Sequence, residues 1–199
     1  GDAVIAEIGD STTAGGGEAT ASRLTSRPYQ LGPLLATRFG ISANFDCFIG
    51  GGTSGDIVAA KANNPHITTG GATVLASADF FPGGKGYQHA TTANPLRYTP
   101  TNAFNRWRFF GRNHTTGTQI RWADSSGAGA AIGGSADNNP FVTDLICGSG
   151  GLATFIDFRS NTAAIARYAG GIGYVAGTSE IKVLNCGWPG SDSTNWIDV

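Results

Sequence analysis

Ala3-Val4-Ile5-Ala6-Glu7-Ile8-Gly9-Asp10-Ser11-Thr12-Thr13 stands at the head of the chain, and its reading decides the fold. A short apolar run that stops at Gly-Asp-Ser reads as a buried strand entering a tight turn. The turn is glycine-rich from Gly9 to Gly17. Beyond it, Leu31, Leu34, Leu35 and Phe39 recur at helical spacing, which predicts a helix over Tyr29–Phe39. Gly40 stands where a helix end commonly takes a residue in the left-handed conformation. A second strand is expected over Ile41–Ile49, followed by Gly50-Gly51-Gly52. Strand, helix, strand is the β-α-β opening of an α/β sandwich.

After roughly residue 70 the pattern changes. Short apolar runs recur with turn chemistry between them: Ala72–Leu75, Arg106–Phe110, Thr118–Trp122, Leu152–Phe158, Ala163–Tyr168 and Gly173–Val175. Several alternate apolar and polar residues, as strands do when one face meets a core and the other meets water. Gly111–Gly117 reads as a hairpin loop between the second and third of these runs, and no helix is expected between residues 72 and 178. The block reads as an antiparallel β-sandwich of jelly-roll type. The α/β style resumes with the strand Ile181–Asn185, the turn Cys186–Ser191 and a helix opening at Thr194. The expected division is therefore 1–70 as the first part of an α/β domain, 71–179 as an inserted β-sandwich, and 180–199 as the return.

Composition excludes several partners. The 199 residues carry 14% charged side chains, 31 glycines and a formal net charge of -1. That balance lacks the basic surface a nucleic-acid partner needs. No apolar run approaches the roughly 20 residues that span a bilayer. The first 30 residues show neither region of a signal peptide, so the reading is of a soluble domain. Cys47, Cys147 and Cys186 lie far apart with no paired spacing for a metal. Buried free thiols are the favoured reading, a single disulfide the alternative. Neither metal nor cofactor is expected.

A serine that closes a strand and precedes a helix exposes its hydroxyl at the carboxyl edge of the sheet, where open α/β sheets bind ligands. The amides that follow, and the helix N-terminus beyond, favour an oxyanion. Gly-Asp-Ser alone is also ordinary turn chemistry. The block Val4 to Gly15 resembles the first motif of the SGNH (GDSL) hydrolase superfamily of serine esterases. The resemblance implies that Ser11 is the nucleophile, that its amide is one oxyanion donor, and that Asp10 supports the turn. The family's second motif, a glycine whose amide is another donor, has two candidates. Gly50-Gly51-Gly52-Thr53-Ser54 lies about forty residues downstream of Ser11, and Leu184–Thr194 contains Gly190 beyond the β block. The second is favoured, because it carries strand, Asn and Gly in the family's order. This layout is similar to a subgroup, often phage-like, with a β-sandwich insert between the two motifs. Trp188, beside Gly190, would then line the mouth of the site.

Two family motifs are missing. Gly-x-Asn-Asp, which supplies an Asn donor, and Asp-x-x-His, which supplies acid and base, occur nowhere in the sequence. His66, His89 and His114 each lack an Asp three residues before them, and each is assigned a structural or surface role. A serine hydroxyl without a base is a poor nucleophile at neutral pH. The absence of Met and the stop at Val199 lead to the expectation of a piece of something longer. On that reading a continuation or second chain carries the Asn and the Asp/His pair.

The substrate class implied is an acylated carbohydrate, with acetate removed from a polysaccharide, and an extracellular or virion-associated location is favoured. Trp107, Trp122, Tyr87 and Tyr98 are candidates to stack on sugar rings, with burial in the core as the commoner fate of strand aromatics. The alternative function is a carbohydrate-binding or virion structural module with no activity of its own.

Overall fold

A computed structural model describes residues 3–9, 26–45, 48–49, 66–67, 73–74 and 86–187. In chain order the elements begin with β1 (Ala3–Gly9), α1 (Arg27–Phe39), β2 (Ser42–Asn44), β3 (Phe48–Ile49), β4 (Thr73–Val74), β5 (Tyr87–His89) and β6 (Leu96–Tyr98). There follow β7 (Arg106–Arg112), β8 (Gln119–Asp124), β9 (Gly127–Ala128), β10 (Ile132–Gly133) and β11 (Pro140–Ile146). The last are β12 (Ile156–Ser160), β13 (Ala166–Tyr174) and β14 (Glu180–Gly187). The described chain is mostly β-sheet, with α1 as its single helix. No helix among the described residues is long and apolar enough to cross a membrane.

Among the described residues these strands form three sheets. The first is parallel, in the order β1-β14-β2. The second runs β10-β8-β12-β6 with β9 on β8, and the third runs β11-β7-β13-β5-β4 with β3 on β13. Every pairing in the second and third is antiparallel. These two sheets enclose one aromatic core. Trp107, Phe109, Tyr168 and Tyr87 come from the third sheet, and Tyr98, Ile156, Phe158 and Leu96 come from the second. Phe109 and Phe158 meet across the layers with ring centroids 4.8 Å apart. The strands alternate accordingly: on β7, Trp107 and Phe109 are buried while Arg106, Arg108 and Arg112 point outward. Gly171 on β13 lies directly against the Trp107 ring and the Arg108 carbonyl, so a side chain there would displace one of them.

The parallel sheet has its own, smaller core. Ala43, Ile181 and Val183 are buried beneath Leu31, Leu35 and Ala36 of α1, with Ile5 and Phe45 alongside. Ser26 stands at the N-cap and Pro28 in the first turn, where the missing amide costs nothing. The helix ends at Gly40 with φ 65°, a left-handed conformation, and the Gly40 amide donates to the Ala36 carbonyl at 2.9 Å.

Several details depart from the sequence pattern. Leu34 and Phe39 are exposed, because the covered stripe of α1 runs through Pro28, Leu31, Gly32 and Leu35. The strand expected over Ile41–Ile49 is split: β2 joins the parallel sheet, whereas β3 pairs with β13. Gly111–Gly117 is no hairpin loop, since β7 and β8 lie in different sheets. Each of these strands turns its apolar face to the same core from opposite sides, so the connection crosses between layers. Ala163–Tyr168 and Gly173–Val175 contribute to one strand, β13, whose register shifts between Tyr168 and Gly170. The extra residue at such a bulge increases local twist.

Candidate active site

Strand β14 lies between β1 and β2, parallel to both. Its register with β1 is unbroken from Ala3↔Ile181 to Gly9↔Gly187. The chain therefore leaves β1 and β14 at the same row of the same sheet edge. Ser11 follows Gly9 by two residues, and Gly190 follows Gly187 by three. At roughly 3.3–3.6 Å per extended residue, both lie within about 12 Å of chain from that row. Asp10, Ser11, Trp188 and Gly190 themselves lie outside the described residues, as do Gly50-Gly51-Gly52 and Thr194–Val199. What precedes the glycine runs is described. Gly50 follows β3, a strand of the antiparallel third sheet, whereas Gly190 follows β14 of the parallel sheet.

At the helix side of this edge, the Arg27 guanidinium in the first turn of α1 approaches Glu7 of β1 at 3.4 Å. Arg27 is exposed, so the pair contributes little by itself. It marks where α1 begins relative to the end of β1.

The three histidines occupy different environments. His89 is fully buried, with Nδ1 at 3.3 Å from the Tyr168 hydroxyl and Nε2 at 3.3 Å from the Ala93 carbonyl. Burial lowers its pKa from the ordinary 6.5, against the opposing effect of the Ala93 and Asn94 backbone, so the neutral ring is favoured. His114 sits in a loop, with Nδ1 at 2.9 Å from the Thr116 hydroxyl. His66 places Nδ1 at 2.9 Å from the Thr99 carbonyl, a partner that calls for the proton on that nitrogen. Its ring also stacks on Tyr29, in the first turn of α1, at 6.4 Å. Of the three, His66 is thus the one beside the helix that follows the Ser11 turn. The sequence offered no signal for this, since the approach is made through Tyr29 rather than through a spaced acid.

The sugar-stacking candidates are in the core. Trp107, Tyr87 and Tyr98 are buried completely or nearly so, and Trp122 retains 8% exposure. None of the four presents a ring face to a carbohydrate. Cys147 is a buried free thiol, and the Cys47 and Cys186 side chains lie outside the described residues. No cluster of three potential metal ligands occurs among the described residues.

A buried polar network ties the parallel sheet to the sandwich. Glu180 accepts from the Asn44 amide at 2.9 Å and the Val175 backbone at 3.2 Å, with Lys182 Nζ at 3.9 Å. Asn102, in the loop after β6, donates to the Ala43 carbonyl at 3.1 Å. Lys182 also lies over the Tyr174 ring at 4.8 Å. On the sheet face opposite α1, a cavity of about 450 Å³ runs between Val4, Lys182 and Leu184 and the outer side of β7, β11 and β13. The parallel-sheet residues that line it, Val4, Lys182 and Leu184, lie in rows that stop short of Gly9–Gly187.

Comparison with known proteins speaks to the fold. No protein-family model and no curated protein matches the sequence. Among solved structures, the chain is similar to a peptidoglycan O-acetylesterase described as "in action, 5 min", with a TM-score of 0.60 and 18% identity. The match covers 98% of this chain and 49% of that one, so the chain spans about half the length of its neighbour. An exo-β-1,3-galactanase from Phanerochaete chrysosporium with galactose aligns over 55% of this chain and 28% of its own, at TM-score 0.43 and 15% identity. At these identities the likeness is one of fold.

Proposed function

We propose that the chain is the nucleophile-bearing part of an SGNH-type serine esterase that removes acetyl groups from a polysaccharide. The observation that carries this reading is the parallel register Gly9↔Gly187, because it brings the strands leading to Ser11 and Gly190 to one edge. That is the carboxyl edge, where open α/β sheets bind ligands. The fold likeness to a peptidoglycan O-acetylesterase supports the choice of an acyl ester on a glycan. In this reading residues 1–70 and 180–199 belong to a flavodoxin-like three-layer α/β sandwich. Residues 71–179 are its jelly-roll insert, as in the phage-like subgroup.

Chemistry follows two-step acyl transfer. Ser11 Oγ attacks the ester carbonyl while a histidine takes its proton and then delivers it to the departing sugar hydroxyl. Water, deprotonated by the same base, releases acetate from the acyl-enzyme. The Ser11 and Gly190 amides hold the oxyanion. Asp10 fixes the turn, Trp188 lines the mouth, and polypeptide beyond Val199 supplies the Asn donor and the Asp/His pair.

The test uses the chain together with the polypeptide proposed to supply the Asn donor and the Asp/His pair. Ser11→Ala is expected to lower acetate release from an O-acetylated polysaccharide by about 10³-fold or more, and to abolish fluorophosphonate labelling. Unchanged acetate release would overturn the assignment. His66→Gln is expected to leave labelling unchanged, and its loss would make His66 the base in place of an external one.

A further inference from the structure

The outer faces of the two antiparallel sheets carry arginines in different circumstances. On the third sheet, Arg108 of β7 is paired with Asp144 of β11 through two bonds of 2.9 and 2.8 Å. Arg112 of β7 donates to the Asn138 carbonyl at 3.0 Å. On the second sheet, Arg97 of β6 is paired with Asp157 of β12, both bonds 2.8 Å, and its guanidinium lies 3.7 Å over the Phe155 ring. One row along, Arg159 of β12 stands directly opposite Arg121 of β8. Directly opposed residues in an antiparallel pair have Cβ atoms about 4.5–5.5 Å apart, and like charges so placed are destabilising. Among the described residues neither of these two arginines forms an ion pair. Arg121 is exposed and Arg159 half-exposed.

Two arginines directly opposed on neighbouring strands can form a fork for a planar anion, since each guanidinium can bind a carboxylate through two N–H donors. The neighbours extend the site along the strands. Asp157 occupies Arg97 in the previous row, leaving Arg121 and Arg159 as the open donors. In the following row Asn161 donates to the Gln119 side chain at 3.4 Å, a neutral polar pair suited to hydroxyls. Rows on one face repeat every two residues, about 7 Å.

We propose that this face binds an acidic polysaccharide, with Arg121 and Arg159 gripping a sugar carboxylate and Arg97 flanking it. The polymer class rests on the esterase reading above, while the carboxylate follows from the arginine pair. Nucleic acid is a poorer fit. The nearest aromatic along β12 on this face, Phe155, lies two rows from the pair and is covered by Arg97, so it offers no ring for base stacking there.

Native electrophoresis through gels containing polygalacturonate, dextran or polyphosphate tests this, with mobilities normalised to polymer-free gel. Wild-type chain is expected to be retarded several-fold by polygalacturonate and not by dextran. The double variant Arg121→Gln/Arg159→Gln is expected to run freely. Arg121→Lys/Arg159→Lys, which keeps the charge and loses the fork, should lose most of the retardation. Arg38→Gln on α1, a charge removed elsewhere, should lose none. No retardation of wild type, full retardation of either double variant, or equal retention by polyphosphate would each overturn the proposal. Fluorophosphonate labelling of Ser11 needs no polymer, so failure of the esterase reading shows itself separately.

Discussion

The parallel sheet and the β-sandwich differ in how far each closes upon itself. Among the described residues the sandwich buries sixteen apolar side chains in one cluster, whereas the parallel sheet buries three beneath α1. The sandwich also satisfies both of its layers with each other. The parallel sheet is covered by α1 on one face and meets the sandwich across a cavity of about 450 Å³ on the other. Parallel sheets ordinarily have both faces covered. Polar contacts join the two parts: the Val175 amide donates to Glu180, the Asn102 side chain donates to the Ala43 carbonyl, and Lys182 lies over the Tyr174 ring. The lesson is that the stable framework and the edge leading to Ser11 are different parts of the chain, so stability and the proposed chemistry at Ser11 should respond to different substitutions.

The largest effect separates them. Trp107 is completely buried and contacts Phe104, Tyr98 and Phe158 at centroid distances of 5.3, 5.6 and 6.1 Å. Trp107→Ala is expected to destabilise the chain by about 3–5 kcal/mol. Val183→Ala, in the small core under α1, should cost about 2 kcal/mol. Urea unfolding followed by hydrogen exchange reads both. Amides of β7 and β13 should exchange slowest in the wild type, and Val183→Ala should accelerate β1 and β2 without reaching them. Uniform acceleration of all strands by Val183→Ala would break the comparison, since the two parts would then open as one unit.

The sequence made the two parts legible to different degrees. β1, α1 and β14 were readable because each is set by a local pattern: an apolar run, a 3.6-residue repeat closed by Gly40, and a second apolar run. The pairing was less so. That β14 lies between β1 and β2 depends on contacts across more than a hundred residues, which no local pattern records. The same holds for Arg106–Arg112 and Gln119–Asp124, whose short connection suggests a hairpin although the two strands face each other across the core. β5, β6 and β11 carry too little regular alternation to announce themselves: Tyr87–His89 and Leu96–Tyr98 are three residues each, and Pro140–Ile146 exposes most of its side chains. Ser11 and Gly190 stand in motifs of the sequence and lie outside the described residues, and the shared strand edge supplies the reason for considering them together. The place of His66 was illegible because it is set by a stacked ring.

A smaller effect probes the rim of the sandwich. Asp124 is buried, and its Oδ1 accepts from the Ser126 hydroxyl at 2.6 Å and the Ser126 and Gly127 amides at 2.7 and 3.1 Å. Its Oδ2 accepts from the Gly148 amide at 2.8 Å, so one carboxylate clamps two loops. Burial alone would raise its pKa, but the combined hydrogen bonds outweigh it and hold the carboxyl below the ordinary 3.8. A depressed carboxyl stabilises the fold above its unfolded pKa and loses that contribution as pH falls through the folded value. Asp124→Asn should therefore cost about 1–3 kcal/mol at neutral pH, with the gap to wild type narrowing below pH 3.8. Urea midpoints at pH 7 and at successively lower pH check this. A gap that stays constant into acid would show that the charge is not what clamps the loops.

The smallest effect concerns a single thiol at the same rim. Cys147 is buried next to Asp124, and burial first, then the Asp124 charge, pushes its pKa up to about 12. The thiolate is the reactive form, so at pH 8 only about one molecule in 10⁴ offers it even before access is considered. Cys147 should remain unmodified by iodoacetamide for hours in the native chain, with peptide mapping as the readout, and react once urea opens the sandwich. The comparison of regions sharpens this expectation: Trp107→Ala should speed the labelling of Cys147 because it lowers the free energy of opening the same core, whereas Val183→Ala should not. Equal acceleration by both would mean that the sandwich borrows its stability from the parallel sheet. Prompt labelling of the untouched chain would instead place Cys147 in an opening that the Asp124 clamp fails to hold shut.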